Sequence, residues 1–515
     1  MKSIVIIYGN ISRFSLLPIG EGTGGKNFFQ CQLEEAWNFP FVDSVVVVSP
    51  GEKPQGYKSA GKEQFFTLKD WTVENLADFI SAKASGTDHC WLMEAGTPFV
   101  EKRAAEKLWK IHSEYFAEYT FADGYPGGLF PVVAATGILP SIKEIAKNDK
   151  TSPGKGFLFN VMKKDINSFD IETEIAPHDQ RSLRVYLNSC TKNGFELCRK
   201  LLAMIKDSSS RPLFEFIPEL LEKNPLILRG FPEFYYIQVA SECVNNCLYC
   251  PYPSSVLYEK NKFMSYQQAA GLIDRIYEFS GSAVVSPSLW GEPALNPDIA
   301  KIVEKILSYP SLSVCMETSG YGWKPGTIEE IKNVCQKAVP RENGRNPVEW
   351  ILSLDGTNEE FYKILHPQGN FAEVLEFAGR LSENFPEAFY PQFVRVNENE
   401  ENLESFYKFW KEKAGRVLIQ KYDNFCNNLP DRKPADLSPL IRFPCWHLKR
   451  DMVILLDGTV VPCRECLNKN NSFGNVFSEP LEKIWSNGLK EYEKHITENY
   501  SSLCGECDEY YTFNF

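Results

Sequence analysis

Apolar positions along the chain fall into two rhythms, short buried-strand runs and amphipathic helical stretches, and their alternation divides the chain into regions. Runs at 4–8, 44–49 and 90–93 have the length and apolar content of buried strands, whereas 102–116 repeats apolar residues at helical spacing. Strands alternating with helices predict a three-layer α/β domain with a mainly parallel sheet over 1–150. Residues 151–232 predict a helical extension and linker. Its clearest helix is at 181–202, and it ends in a Pro/Leu-rich link at 214–232.

From 233 the alternation resumes. Strands are expected at 234–240, 283–286, 312–317, 349–354, 392–396 and 417–420. Helices are expected between them at 266–279, 298–307, 328–335, 371–381 and 401–413. Six strands joined by right-handed helical crossovers predict a partial (βα)6 barrel over 233–440, whose functional face lies at the C-terminal strand ends. After 440 the strands 452–456 and 459–462 flank Asp457-Gly458, a favoured two-residue turn. They open a small Cys-rich subdomain of hairpin plus helix over 441–515.

Composition narrows the function. The 515 residues carry a net charge of −12, which argues against a nucleic-acid backbone or an anionic membrane as the main partner. No apolar run reaches the roughly 18–20 residues of a membrane span, and the N-terminus reads as a strand rather than an export signal, so a cytoplasmic protein is expected. Fifteen cysteines are unevenly spread, three between 243 and 250 and five between 445 and 507. In a reducing compartment such clusters read as metal sites. Cys31, Cys90, Cys190, Cys198, Cys315, Cys335 and Cys426 read as small buried residues.

Cys243-Val-Asn-Asn-Cys247-Leu-Tyr-Cys250 follows the first barrel strand, and no fourth cysteine or histidine lies close by in the sequence to complete a zinc site. A four-iron cluster held by three thiolates keeps one iron open. Cys-x3-Cys-x2-Cys at this place, with Tyr249 before the last cysteine, resembles the radical SAM superfamily. The resemblance implies a [4Fe-4S] cluster whose open iron binds S-adenosylmethionine, cleaved reductively to a 5′-deoxyadenosyl radical. Trp290-Gly291-Glu292-Pro293 after the second strand resembles the family's Gly-Glu-Pro motif, with Trp290 in place of its first glycine. Ser353-Leu-Asp355-Gly356 at the fourth strand resembles runs that line the cofactor. Tyr249, Gly291, Glu292, Pro293, Ser353 and Asp355 are therefore expected to contact the cofactor. Glu317 to Gly320 and Arg395 end the third and fifth strands and are weaker candidates.

Cys445-x12-Gly458-x4-Cys463 resembles the opening of the SPASM domain that follows many radical SAM barrels. Here a single Cys504-Gly-Glu-Cys507 pair follows, and the position of the next expected cysteine is Phe513. The pattern points to the shortened, single-cluster twitch form, with one auxiliary [4Fe-4S] cluster on Cys445, Cys463, Cys504 and Cys507 and with Cys466 as a spare. Zinc on the same four cysteines is the rival. In the N-terminal region, the strand at 4–8 followed by Arg13, Pro18 and Lys26 loosely resembles a degenerate nucleotidyltransferase or glycosyltransferase-A domain. The glycines between 20 and 25 lie after the proline, and Glu94 stands where those enzymes place a metal-binding Asp. The whole arrangement resembles the spiro-SPASM protein family. That resemblance implies no known substrate; a radical SAM oxidoreductase or modifying enzyme acting on a peptide or carbohydrate-like substrate, served by a flavodoxin or ferredoxin, is expected. The alternative is a non-catalytic iron–sulfur binding or electron-transfer protein.

Overall fold

The computed structural model describes all residues except 21–23, 206–210, 343, 436–441 and 510–515, so Phe513 lies outside the described residues. The chain forms two units, Met1–Gly230 and Phe231–Phe515.

In the first unit the strands are β1 (Ser3–Tyr8), β2 (Val42–Ser49), β3 (Gln64–Thr67), β4 (His89–Glu94), β5 (Tyr119–Asp123), β6 (Val132–Ala135) and β7 (Ile171–Ile175). They form one sheet in the order β3-β2-β1-β4-β6-β5-β7. Strands β3, β2, β1 and β4 run parallel, and β6 runs antiparallel to both β4 and β5. The alternation along β1 makes the layers. Ile4 and Ile6 pack with Leu76 and Ile80 of the helix Val73–Lys83, while Val5 and Ile7 pack with Leu33 and Leu108 on the other face.

Two expectations for 151–232 are corrected. The helix expected over 181–202 is a 3-10 turn at Arg181–Leu183, a left-handed Arg184, and a helix only at Lys192–Ile205. Asp179 accepts the Arg181 N–H at 2.9 Å, an Asx-type turn that competes with helix propagation. The expected link at 214–232 contains the helix Leu213–Lys223, entered through Pro212, with Phe214, Ile217 and Leu221 on its buried face. Strand β7, also in this region, pairs parallel with β5 in the N-terminal sheet.

Buried histidine chemistry in this unit gives a pH prediction. His112 Nδ1 lies 2.9 Å from Thr120 Oγ1 and its Nε2 3.2 Å from His89 Nδ1. Burial, and then His89, pushes His112 down to about 4. The unfolded chain protonates this histidine near pH 6.5 and the folded chain only near 4. Stability therefore holds above pH 6.5 and declines as pH falls toward 4, by about 2 kcal/mol at pH 5 from this group. Urea unfolding at pH 7 and pH 5, followed by tryptophan fluorescence, should show this loss in the wild type and a smaller one in His112→Gln. Equal losses would exclude His112 as the source.

In the second unit β8 (Phe234–Ile237), β9 (Ala283–Ser286), β10 (Leu312–Thr318), β11 (Val348–Ser353), β12 (Phe389–Arg395) and β13 (Leu418–Lys421) lie side by side in chain order, all parallel. Helices Tyr266–Ser280, Ile299–Leu307, Pro325–Lys337, Phe371–Asn384 and Leu403–Ala414 separate them. Ser265 caps the first of these in a reciprocal capping box with Gln268. Strand β14 (Asp451–Ile454) pairs parallel with β8, and β15 (Thr459–Val461) and β16 (Gly474–Asn475) add antiparallel. The Cys-rich hairpin thus continues the barrel sheet, and among the described residues that sheet is open, with β13 and β16 at its ends. Gly458, at φ +84°, makes the hairpin turn, where a Cβ would stand 2.4 Å from the Phe477 ring. No helix among the described residues is long and apolar enough to cross a membrane.

Candidate functional site

The loop after β8 carries Cys243, Cys247 and Cys250, and the loops after β9, β10 and β11 supply the residues around them. Gly291 has φ +75°, and a Cβ there would stand 2.3 Å from the Ala240 carbonyl oxygen, so only glycine lets the β9 loop close against the cysteine loop. The Glu292 N–H then donates to the Glu242 carbonyl at 2.7 Å, and Pro293 starts the turn Pro293–Leu295. Trp290 stacks on Tyr252, rings 5.5 Å apart.

Glu292 is buried, and its carboxylate accepts from Thr318 Oγ1 at 2.6 Å, the Ser319 N–H at 2.9 Å and Ser319 Oγ at 2.6 Å. Burial raises its pKa, and these hydrogen bonds pull it back down. Thr318 and Ser319, expected as weak cofactor candidates, hold Glu292 in this structure. Glu317, just before them, is pushed up by burial, with Arg464 opposing. Arg395 is paired with Glu400, Nε to Oε2 at 2.9 Å.

Asp355 is fully buried in the left-handed region at φ +54°. Its Oδ1 accepts the Val394 N–H at 2.5 Å, and its Oδ2 lies 3.0 Å from the Tyr249 hydroxyl and 2.7 Å from His366 Nε2. His366 Nδ1 lies 3.1 Å from Cys247 Sγ. Ser353 ends β11, two residues before Asp355. His366 is the residue that reading the sequence misses: 119 positions separate it from Cys247.

The donor set fits a cluster. Burial, then Glu292, pushes Cys243 up to about 12, burial pushes Cys250 up to about 11, and burial with the neighbouring thiols pushes Cys247 well above its usual value. Such thiols become thiolates when a cation binds. Four ligands 2.3 Å from a zinc ion stand roughly 3.8 Å apart. Among the described residues, the groups of three or more ligand atoms within 4.8 Å of one another are Glu491, His495, Cys504 and Asp423, Asp508, Glu509. Cys504, one of the expected cluster ligands, belongs to the first of these groups.

At the C-terminal end, Cys426, Cys445, Cys463, Cys504 and Cys507 line one cavity, together with His447, Glu465, His495 and Glu509. Cys426 departs from its expected role as an ordinary buried cysteine. Phe425, Cys426 and Asn427 are consecutive left-handed residues at φ 51°, 53° and 64°, and the Asn427 amide donates to Glu506 at 2.7 Å. Left-handed non-glycine backbone costs about 1–2 kcal/mol per residue. The turn carries Cys426 to Cys507, whose pKa is lowered by the Cys426 hydrogen bond against burial. Cys466 packs instead with Tyr252 and Trp290, near the Asn468 carbonyl oxygen at 3.3 Å.

In the first unit, Glu94 does not present a free carboxylate. It accepts from Tyr186, from the Tyr8 hydroxyl at 3.4 Å and from the Gly156 N–H at 3.0 Å.

Residues 237–409 match the family model of the radical SAM superfamily, and 445–508 match that of the SPASM iron–sulfur cluster-binding domain. A Treponema pallidum (strain Nichols) protein, described as uncharacterized, is 40% identical over 367 residues, covering 70% of this chain and 99% of that one. The chain belongs to the radical SAM superfamily and carries a C-terminal SPASM domain. That family uses a [4Fe-4S] cluster with S-adenosylmethionine, and the SPASM domain binds auxiliary iron–sulfur clusters. Among solved structures, Streptococcus suis SuiB bound to precursor peptide SuiA is similar at 15% identity, over 68% of this chain and 78% of that one, with a TM-score of 0.42. BtrN in complex with AdoMet and 2-DOIA is similar at 17% identity, over 54% and 94%, with a TM-score of 0.35. A cytidylyltransferase from Leptospira borgpetersenii is similar at 15% identity, over 44% and 96%, with a TM-score of 0.36.

Proposed function

We propose that the chain is a radical SAM oxidoreductase or modifying enzyme acting on a peptide or carbohydrate-like substrate, with an electron donor of the flavodoxin or ferredoxin type. The observation that carries it is the convergence of Cys243 and Cys247 with Glu292 and Asp355, from three different loops, at the C-terminal strand ends of one parallel sheet. S-adenosylmethionine bound there supplies a 5′-deoxyadenosyl radical once one electron has been delivered. The chain's own part is placement. Glu292, anchored by Thr318 and Ser319, sets a buried negative charge where the cofactor's cationic methionine part needs one, and Tyr249, Ser353 and Asp355 form the facing wall.

The C-terminal cavity supports oxidation over a redox-neutral rearrangement. Cys445, Cys463, Cys504 and Cys507 line this cavity and would hold an auxiliary four-iron cluster, which would supply an electron acceptor within the same unit. In the first unit, protein hydrogen bonds occupy Glu94, which supports a degenerate binding domain rather than nucleotidyl transfer.

The test is anaerobic reconstitution with iron and sulfide, then incubation with S-adenosylmethionine and dithionite. Slow formation of 5′-deoxyadenosine is expected without added substrate. A fully reconstituted protein that forms none is the non-catalytic iron–sulfur alternative.

A further inference from the structure

We infer that His366 is a positioning residue that hydrogen-bonds the Cys247 sulfur of the cofactor-cleaving cluster and sets that cluster's reduction potential. The inference rests on the reading of Cys243, Cys247 and Cys250 as cluster ligands.

The imidazole is fully buried between two partners, Cys247 Sγ at 3.1 Å from Nδ1 and Asp355 Oδ2 at 2.7 Å from Nε2. It is fixed in plane by Tyr362, stacked at 4.4 Å, and by the edge of Tyr249 at 5.6 Å. Backbone bonds hold both ends of this arrangement. The Leu248 N–H donates to the Leu365 carbonyl at 2.9 Å, tying the cysteine loop to the residue before His366, and the Val394 N–H fixes Asp355.

A free thiol at Cys247 can donate to Nδ1. Once its sulfur binds iron it can only accept, so the hydrogen must come from the ring. Asp355 Oδ2, a carboxylate oxygen, lies 2.7 Å from the other ring nitrogen and fixes the orientation of the imidazole toward Cys247. A donor on a ligand sulfur favours the reduced, more negative cluster, and hydrogen bonds to sulfur are among the levers that set iron–sulfur potentials. Because Asp355 also accepts from Tyr249 on the proposed cofactor wall, the same carboxylate links the cofactor side to the cluster's ligand.

The experiment uses the reconstituted full chain without S-adenosylmethionine. The midpoint potential of each cluster is measured by EPR-monitored titration in wild type, His366→Leu and His366→Gln. The Cys243→Ala/Cys247→Ala/Cys250→Ala variant identifies which signal belongs to the triplet. Full iron is expected in all three, with the triplet's midpoint more negative in His366→Leu, restored toward wild type by the amide donor of His366→Gln, and the C-terminal cluster unmoved. An unshifted triplet midpoint in His366→Leu overturns the inference, and so does loss of the triplet's iron, which would make His366 a ligand or a purely structural residue. A readout on the wild type covers the case in which His366→Leu does not fold. Among the described residues His366 is the histidine hydrogen-bonded to a triplet cysteine, so labelling with 15N-histidine should give a weak 15N coupling on the reduced triplet cluster. No coupling overturns the proposal. If wild type and the triple variant hold equal iron, the triplet carries no cluster, and the underlying reading fails instead.

Discussion

Replacing Cys243, Cys247 and Cys250 together by alanine should abolish 5′-deoxyadenosine formation while leaving a C-terminal cluster in place. About four of about eight irons per chain should be lost, since three thiolates hold one four-iron cluster. The expectation of total rather than partial loss follows from where the thiols sit. Cys247 and Cys250 are half-buried, and the carboxylates of Glu292, held by Thr318 and Ser319, and Asp355, held by Tyr249, His366 and Val394, are already engaged. The fold should survive, because the triplet lies in a loop, while the core of this unit is built from residues such as Tyr235, Ile273, Val314, Trp350 and Phe389. Deoxyadenosine formed at wild-type rate by a folded triple variant would refute the proposed cofactor site.

The sequence announced this site unevenly, and the difference is physical. The six strands β8 to β13 are legible because apolar residues recur in short runs, buried throughout in β9 and alternating with half-buried positions in β11, and the helices between them carry one buried stripe each, as Ile302, Val303 and Ile306 do. The cysteine triplet is legible because its ligands are local in sequence. What is set by tertiary approach is not. His366 reaches Cys247 only because the loop after β11 folds back over the loop after β8, and nothing around His366 in sequence distinguishes it from a helix-terminal histidine. Cys426 reaches Cys507 through a left-handed turn without a glycine, a conformation that local propensity argues against. The failures at 181–202 and 214–232 are of the opposite kind. Asp179 and Arg184 break a helix that apolar periodicity suggested, and Pro212 begins one that a Pro-rich composition argued against.

Elemental analysis of the reconstituted wild type should return about eight irons and no zinc, and Cys504→Ser/Cys507→Ser should lose about four irons while retaining 5′-deoxyadenosine formation with dithionite. The choice between iron and zinc turns on the size of the metal core. A single zinc ion would draw four sulfurs to roughly 3.8 Å of one another, whereas a four-iron cluster would hold them farther apart around its larger core, so metal content separates the two. The four C-terminal cysteines stand around a cavity that also takes in Cys426. Retention of deoxyadenosine in the double variant follows from separate duties. Dithionite can reduce the triplet's cluster directly, so a relay that accepts the electron after substrate oxidation is not needed for cleavage of the cofactor alone. About four irons with one zinc would remove the relay, and with it the case for a net two-electron oxidation. Loss of all deoxyadenosine in a folded double variant would mean that the C-terminal site feeds electrons inward to the triplet, reversing the direction assigned to it here.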